Sequence, residues 1–227
     1  MHLETEQNNI TLNRIRDDLP RFLEMADKPA IIVGLLFCPS GSPRVRDHIL
    51  PSFNDLNANS GVHTHFFLPG WRSVIEDDPH DQAIYRDSNC PPLKYDANLM
   101  WKFKRSLRDE TSRWKSTNTV ELLLLDGTAD HLGNGLLNYG SVINVQLGTI
   151  MRQLEIQDVN ELFSVIFHFA EDFKDLNPTS ALSNKFARNQ LGKSLLRRLS
   201  SVNIANIANV LRDIKPFATH DYRRLIR

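Results

Sequence analysis

The sequence predicts an α/β fold: a central mixed sheet of about four strands flanked by helices, followed by a basic helical extension at the C-terminus. Three observations carry this. The run Ala30-Ile-Ile-Val-Gly-Leu-Leu-Phe37 is continuously apolar between turn signals, the pattern of a strand buried on both faces. Amphipathic segments with helical spacing alternate with short apolar runs along the first three quarters of the chain. Charge, finally, is divided: residues 178–227 carry 10 Lys/Arg against 2 Asp/Glu, and residues 1–177 carry the opposite imbalance, so that the whole is formally neutral.

At 227 residues and 41% hydrophobic, the chain is long enough for one sizeable core plus a small appended unit. We place the boundary at 177/178, giving an α/β domain over 1–177 with an N-terminal helix and a basic helical extension over 178–227. The longest apolar run, Ala30 to Cys38, falls far short of the roughly 20 residues a membrane helix needs. The start Met1-His-Leu-Glu-Thr-Glu6 lacks the basic region of a signal peptide. The expectation is a cytoplasmic protein without a membrane span, with Cys38 and Cys90 as reduced thiols.

Each element follows from its own pattern. Residues 11–27 place Ile15, Leu19, Phe22, Leu23 and Met25 at roughly helical intervals, interrupted by Pro20. After the strand 30–37, Ser42 offers a capping hydroxyl and Pro43 a pre-set φ, with Val45, Ile49, Phe53 and Leu56 continuing as a helix to about Ala58. Val62 to Leu68 reads as a second strand, parallel to the first through a right-handed crossover. Residues 69–96, with Pro69, Pro79, Pro91 and Pro92 and the acidic Glu76-Asp-Asp78, read as a long irregular loop. Leu99, Phe103, Leu107 and Trp114 form the inner stripe of a helix over 97–114. Val120 to Leu125 is a third strand, Ser141 to Leu147 a fourth, and 158–173 a helix. Two helices are predicted in the extension, near 180–199 and 202–214.

The order strand, helix, strand, helix, strand, strand, helix over roughly residues 29–174 resembles the thioredoxin-like fold. Glu121-Leu-Leu-Leu-Leu-Asp-Gly127 looks like that family's third strand and turn, and Pro51 sits inside the first helix as a kinking proline does there. Counting back from Pro51, the family's redox Cys-x-x-Cys falls on Pro43 to Arg46, and its cis-proline falls near Asn118 or Thr119; this chain has neither. Thiol–disulfide exchange needs a thiolate at a helix N-terminus and a resolving thiol nearby. The resemblance therefore implies the fold without the redox chemistry, and no cofactor is expected.

Four places could carry function. The turn Cys38-Pro-Ser-Gly-Ser-Pro-Arg44 stands at the carboxyl end of the first strand, where open α/β sheets bind ligands. There Ser40, Gly41, Ser42, Arg44 and Arg46 could hold a phosphate or carboxylate, although helix capping alone explains the same residues. Cys38 is a possible nucleophile beside His48 or His63, and more simply a structural thiol. Asp126 and His131, in Asp126-Gly-Thr-Ala-Asp-His131, could form an acid/base pair at the same sheet edge if the strands are parallel; an ordinary hairpin loop is the favoured alternative. His63 and His65 share a strand face, but two ligands without a third make no metal site.

In the extension, Lys185, Arg188, Lys193, Arg197, Arg198, Arg223 and Arg224 suit either nucleic acid or an acidic partner. The apolar stripes Leu191, Leu195, Leu196, Leu199 and Val202, Ile204, Ile207, Val210, Leu211 favour a protein partner or self-association. Trp71, Trp101 and Trp114 could anchor such an interface. The functional expectation is a non-redox binding or regulatory protein that recognises a partner protein or a small anionic ligand. The alternatives are a hydrolase or transferase using Cys38 or Asp126/His131, and a nucleic-acid-associated factor acting through the tail.

Overall fold

A computed structural model of the chain describes residues 10–43, 45–52, 60–74, 84–87, 90–111, 114–117, 119–153, 160, 163, 164, 167 and 214–217. The organising strand is β1 (Ala30–Phe37), all eight of whose residues are buried. A strand buried on both faces must be paired on both edges, and it is. β2 (Thr64–Phe67) lies parallel on one side and β6 (Glu121–Ala129) antiparallel on the other. β7 (Gly135–Val145) continues antiparallel from β6, and β8 (Ile214–Phe217) closes the far edge, giving a five-stranded mixed sheet in the order β2-β1-β6-β7-β8.

One face of this sheet is covered by α1 (Leu12–Ala26) and α2 (Ala97–Thr111). α1 starts where the Thr11 hydroxyl accepts the Arg14 N–H at 3.1 Å and ends at Asp27, left-handed at φ 50°, whose N–H returns to the Glu24 carbonyl. Its apolar stripe, Leu12, Ile15, Leu19, Phe22 and Leu23, packs with Ile31, Val33 and Leu35 of β1. α2 adds Met100, Phe103 and Leu107 to the same core. The opposite face buries Ile32, Leu36, Leu122 and Leu124 under Ile49, Leu50, Phe163 and Phe167. There Gly34 of β1 stands beside Phe66 of β2 and leaves room for its ring, which meets Phe163 and Phe167 edge-on at 5.5 and 5.7 Å.

Pro20 does not end α1. Proline supplies no N–H to the carbonyl four residues back, so the Arg16 carbonyl lacks its helical donor. That carbonyl lies against Gly135 at the start of β7, so closely that a Cβ there would collide with it and with Leu19. The helix irregularity and the glycine fit each other.

The structure revises several expectations. Residues 69–96 are not simply irregular: β3 (Trp71–Ser73), β4 (Ile84–Asp87) and β5 (Cys90–Tyr95) make a second, antiparallel sheet in the order β3-β5-β4. Pro91 and Pro92 are accommodated because the β4–β5 register shifts beside them and because a proline carbonyl still accepts, here from the Val74 N–H at 2.9 Å. The segment expected as a plain helix from Pro43 contains a π-helical turn, Val45–Ile49. The helix 97–114 stops at Thr111, and Trp114 is buried beyond it with its ring 5.1 Å from Phe37. The fourth strand begins at Gly135 rather than Ser141, and Leu147 opens a short helix, α3 (Leu147–Gln153), instead of ending that strand.

Of the helix expected over 158–173, Asn160, Phe163, Ser164 and Phe167 are helical, and the rest lies outside the described residues. Residues 214–217 of the extension are a strand of the main sheet, which an edge position allows despite Pro216. The 177/178 boundary therefore does not separate them from the α/β body. The helices expected near 180–199 and 202–214 lie outside the described residues except for Ile214, which opens β8 and is not helical.

The Arg16–Gly135 fit can be tested by stability. Gly135→Ala should lower the urea midpoint by about 1–3 kcal/mol equivalent through overpacking. Pro20→Ala, which restores the missing donor and draws the Arg16 carbonyl back into the helix, should recover part of that loss in the double variant.

Candidate functional site

The carboxyl end of β1 is where the two sheets meet. Cys38 follows β1 directly and is fully buried. Its carbonyl accepts the Trp71 indole N–H at 2.8 Å, and Trp71 itself packs edge-on to Tyr95 at 5.4 Å. Trp71 and Tyr95 belong to β3 and β5, so the small sheet forms a cover over the Cys38 turn. Burial pushes the Cys38 thiol above its ordinary range, and the Tyr95 hydroxyl is pushed upward too, by burial first and then by Cys38 and Asp96. A nucleophilic cysteine needs the reverse, a lowered pKa and partial exposure.

The turn itself is held by Ser42 N–H on the Pro39 carbonyl at 3.2 Å and Val45 N–H on the Ser42 carbonyl at 3.0 Å. Ser40 and Ser42 are half-buried, and Gly41 and Arg46 are exposed. Arg44 lies outside the described residues.

The structure separates Cys38 from the proposed acid/base pair. β1 and β6 are antiparallel, with Phe37 opposite Glu121 and Ile32 opposite Asp126, so the 126–131 segment stands toward the other end of the sheet. The expectation of a shared edge required parallel strands and is corrected here. Asp126 is fully buried within β6, whereas His131 is exposed on the β6–β7 turn. That turn is an ordinary hairpin: Gly133 has φ +85°, and the Asp130 carboxylate accepts the Leu132 and Asn134 N–H groups, each at 2.8 Å. The Asn134 side-chain amide, which donates to Asp130 Oδ2 at 3.0 Å, and then these backbone bonds hold the Asp130 pKa below the usual carboxylate value.

What the Cys38 end does assemble is a polar network around Glu121, on the opposite face from the thiol. Glu121 is fully buried. Its Oε1 accepts from Ser116 Oγ at 3.0 Å, from the Thr117 N–H at 2.6 Å and from Thr117 Oγ1 at 2.8 Å, and its Oε2 from Asn144 Nδ2 at 3.4 Å. Lys104 reaches in from α2, donating to Ser116 Oγ at 2.7 Å with its ammonium 5.6 Å from the Phe37 ring centre. Burial lowers the Lys104 pKa, against the pull of Glu121. Thr117 Oγ1 also stands 3.0 Å from Gln146 Oε1, which brings the segment before β6 against the end of β7. None of these residues is singled out by motif. The one signal was a carboxylate inside the otherwise apolar run Val120 to Leu125, which in a strand implies a buried, saturated partner set.

His65 lies on β2 and stacks flat on Phe22 of α1, ring centres 3.9 Å apart. Its pKa is pushed down to about 4, by burial first and by Arg21 in addition, against a hydrogen bond to the Val62 backbone. His65 therefore serves packing. Among the described residues no group of three or more His, Cys, Asp or Glu is placed to hold a metal ion. No helix among them is long and apolar enough to cross a membrane. Of the three tryptophans, Trp71 and Trp114 are core residues and Trp101 is 58% exposed on α2. Lys185, Arg188, Lys193, Arg197, Arg198, Arg223 and Arg224 lie outside the described residues.

Two measurements check this account. Glu121→Ala leaves buried Asn144 and the half-buried Ser116 and Thr117 bonds without their acceptor and should cost about 3 kcal/mol in urea unfolding, with Glu121→Gln costing less. For His65, the folded pKa lies below the unfolded value of 6.5, so the unfolded state binds the proton first. Its contribution is complete above about pH 6.5 and is lost as pH falls toward 4, by up to roughly 3 kcal/mol. His65→Leu should flatten the urea midpoint against pH across that window.

Comparison of the chain with protein-family models, with curated proteins and with solved structures returns no match in any of the three.

Proposed function

We propose that this chain is a non-redox α/β binding or regulatory protein, acting by recognition of a partner protein or a small anionic ligand and not through a cysteine. The observation that carries this reading is the sealing of Cys38: no exposed surface, Trp71 bonded to its carbonyl, and a thiol pushed up by burial. A thioredoxin-like fold is part of the same proposal. It draws support from the order β1, helical segment at 45–52, β2, α2, β6, β7 and the helical residues 160, 163, 164 and 167. Fold likeness of this kind carries no activity with it.

For an anionic ligand, the Cys38 turn offers Ser40, Gly41, Ser42 and Arg46 at its rim, above a thiol too deeply placed to react. A hydrolase or transferase built on Cys38 has that burial against it, and one built on Asp126 with His131 has an interior carboxylate and an exposed imidazole. A cytoplasmic location belongs to this reading as well, since a buried reduced thiol is at home there.

The test is thiol reactivity joined to ligand titration. In a Cys90→Ser background, Cys38 should react with iodoacetamide at least about 100-fold more slowly in the native protein than in urea, because attack requires the exposed thiolate. Inorganic phosphate should shift the backbone amide resonances of Ser40 to Arg46 and leave those of the β6–β7 turn in place. Rapid native alkylation would return Cys38 to the list of nucleophiles, and unmoved amides would remove the anionic ligand.

A further inference from the structure

We propose that the outer face of α2 is a docking surface for single-stranded nucleic acid, with Trp101 as its stacking platform. The inner face of the helix is fixed by Met100, Phe103 and Leu107, all buried in the core, so the outer face is held in a set orientation. On that outer face Trp101 is 58% exposed, and the Arg105 guanidinium carbon lies 5.5 Å from its ring centre. Lys102 and Arg108 are exposed as well, so three cations follow one another at three-residue steps, over about 9 Å of helix axis. Of the two acidic residues in the last turn, Glu110 takes a 2.7 Å ion pair from Arg16 of α1, and Asp109 is exposed four residues after Arg105, leaving the three cations in excess over one free carboxylate on that face.

The Trp101 indole, more than half exposed, offers a large rigid π face on a helix whose orientation is fixed. A guanidinium already lies over it, which is the arrangement that base stacking on an aromatic platform uses, with neighbouring cations for the phosphates. A single strand fits better than a duplex because a duplex keeps its base faces stacked inside. It fits better than an acidic peptide because a purely charged partner would satisfy Lys102, Arg105 and Arg108 and leave the Trp101 face wet. The surplus of cations in residues 178–227 of the same chain would add to the attraction for a phosphate backbone. The proposal stands apart from the Cys38 turn and does not depend on it.

The experiment is fluorescence anisotropy of a labelled oligothymidylate of roughly 15 nucleotides with the full-length chain at about 50 mM salt. Trp101→Ala should weaken binding fivefold or more, and Trp101→Phe should retain most of it, with thermal melting unchanged in both because the position is exposed. Lys102→Glu with Arg105→Glu and Arg108→Glu should lower the slope of log affinity against log salt by about 2, at roughly 0.7 per phosphate contact. The proposal is overturned if wild type does not bind the oligonucleotide, if Trp101→Ala binds as wild type does, or if a poly-glutamate peptide of equal charge competes as well as unlabelled oligothymidylate.

Discussion

The antiparallel pairing of β1 with β6 is the constraint from which the rest of the molecule follows. β1 is buried on both faces and on both edges, so its register admits no slip: a shift by one residue would exchange the residues of the two cores. With Phe37 opposite Glu121 and Ala30 opposite Thr128, the direction of β6 decides which polar groups share an end of the sheet. Glu121, Thr117 and Gln146 are brought to the end where β1 leaves the core. Asp126 and the hairpin beyond it are carried away from that end. A parallel β6 would have given the opposite assignment and a plausible catalytic edge.

The same end of β1 is then closed from above. The Trp71 indole spans from the small sheet to the Cys38 carbonyl, and Tyr95 and Leu93 of β5 pack against the core that contains the thiol. A turn at the carboxyl edge of a sheet is ordinarily open to ligands, and here the depth of the turn is occupied by protein. Among the described residues its rim, from Ser40 to Pro43 with Arg46 and Asp47, remains at the surface. Closure has an electrostatic consequence, since burial takes water away from the thiolate form and pushes the thiol's pKa up.

What was legible in the sequence was whatever a local period encodes. The apolar run 30–37, Ile15, Leu19, Phe22 and Leu23 of α1, and Phe103 and Leu107 of α2 lie where the pattern places them, whereas Met25 is 51% exposed and Met100 takes the core position expected of Leu99. The parallel direction of β2 was legible from its helical crossover, but that of β6 was not, because alternation and apolarity are the same whichever way a strand runs. The small sheet was hidden by its short strands and by Pro91 and Pro92, whose tolerance depends on a register shift and a partner carbonyl bond visible only in three dimensions. β8 was hidden by distance along the chain, since its pairing with Val142 to Val145 joins segments with no common local pattern. The Glu121 network was half legible: the carboxylate stood out among leucines, but its donors come from two separate segments, Ser116 and Thr117 before β6 and Asn144 of β7, with Lys104 of α2 behind Ser116.

Saturation of polar groups separates the structural chemistry of this protein from its recognition chemistry. Glu121 is buried and surrounded by donors from Ser116, Thr117 and Asn144, so every change there must unmake bonds that hold the segment before β6 to the sheet. Such a carboxylate is committed, and its desolvation is offset by its neighbours. Arg16 is committed in the same way, shared between Glu110 at 2.7 Å and the Tyr139 hydroxyl at 3.1 Å, where it ties α1 to α2 and β7. Trp101 and Arg105 are different: they touch each other on an exposed helix face whose underside already supplies the packing that the fold needs. Removing them should leave the core intact, and a surface that the fold does not require is where selection for binding leaves its residues.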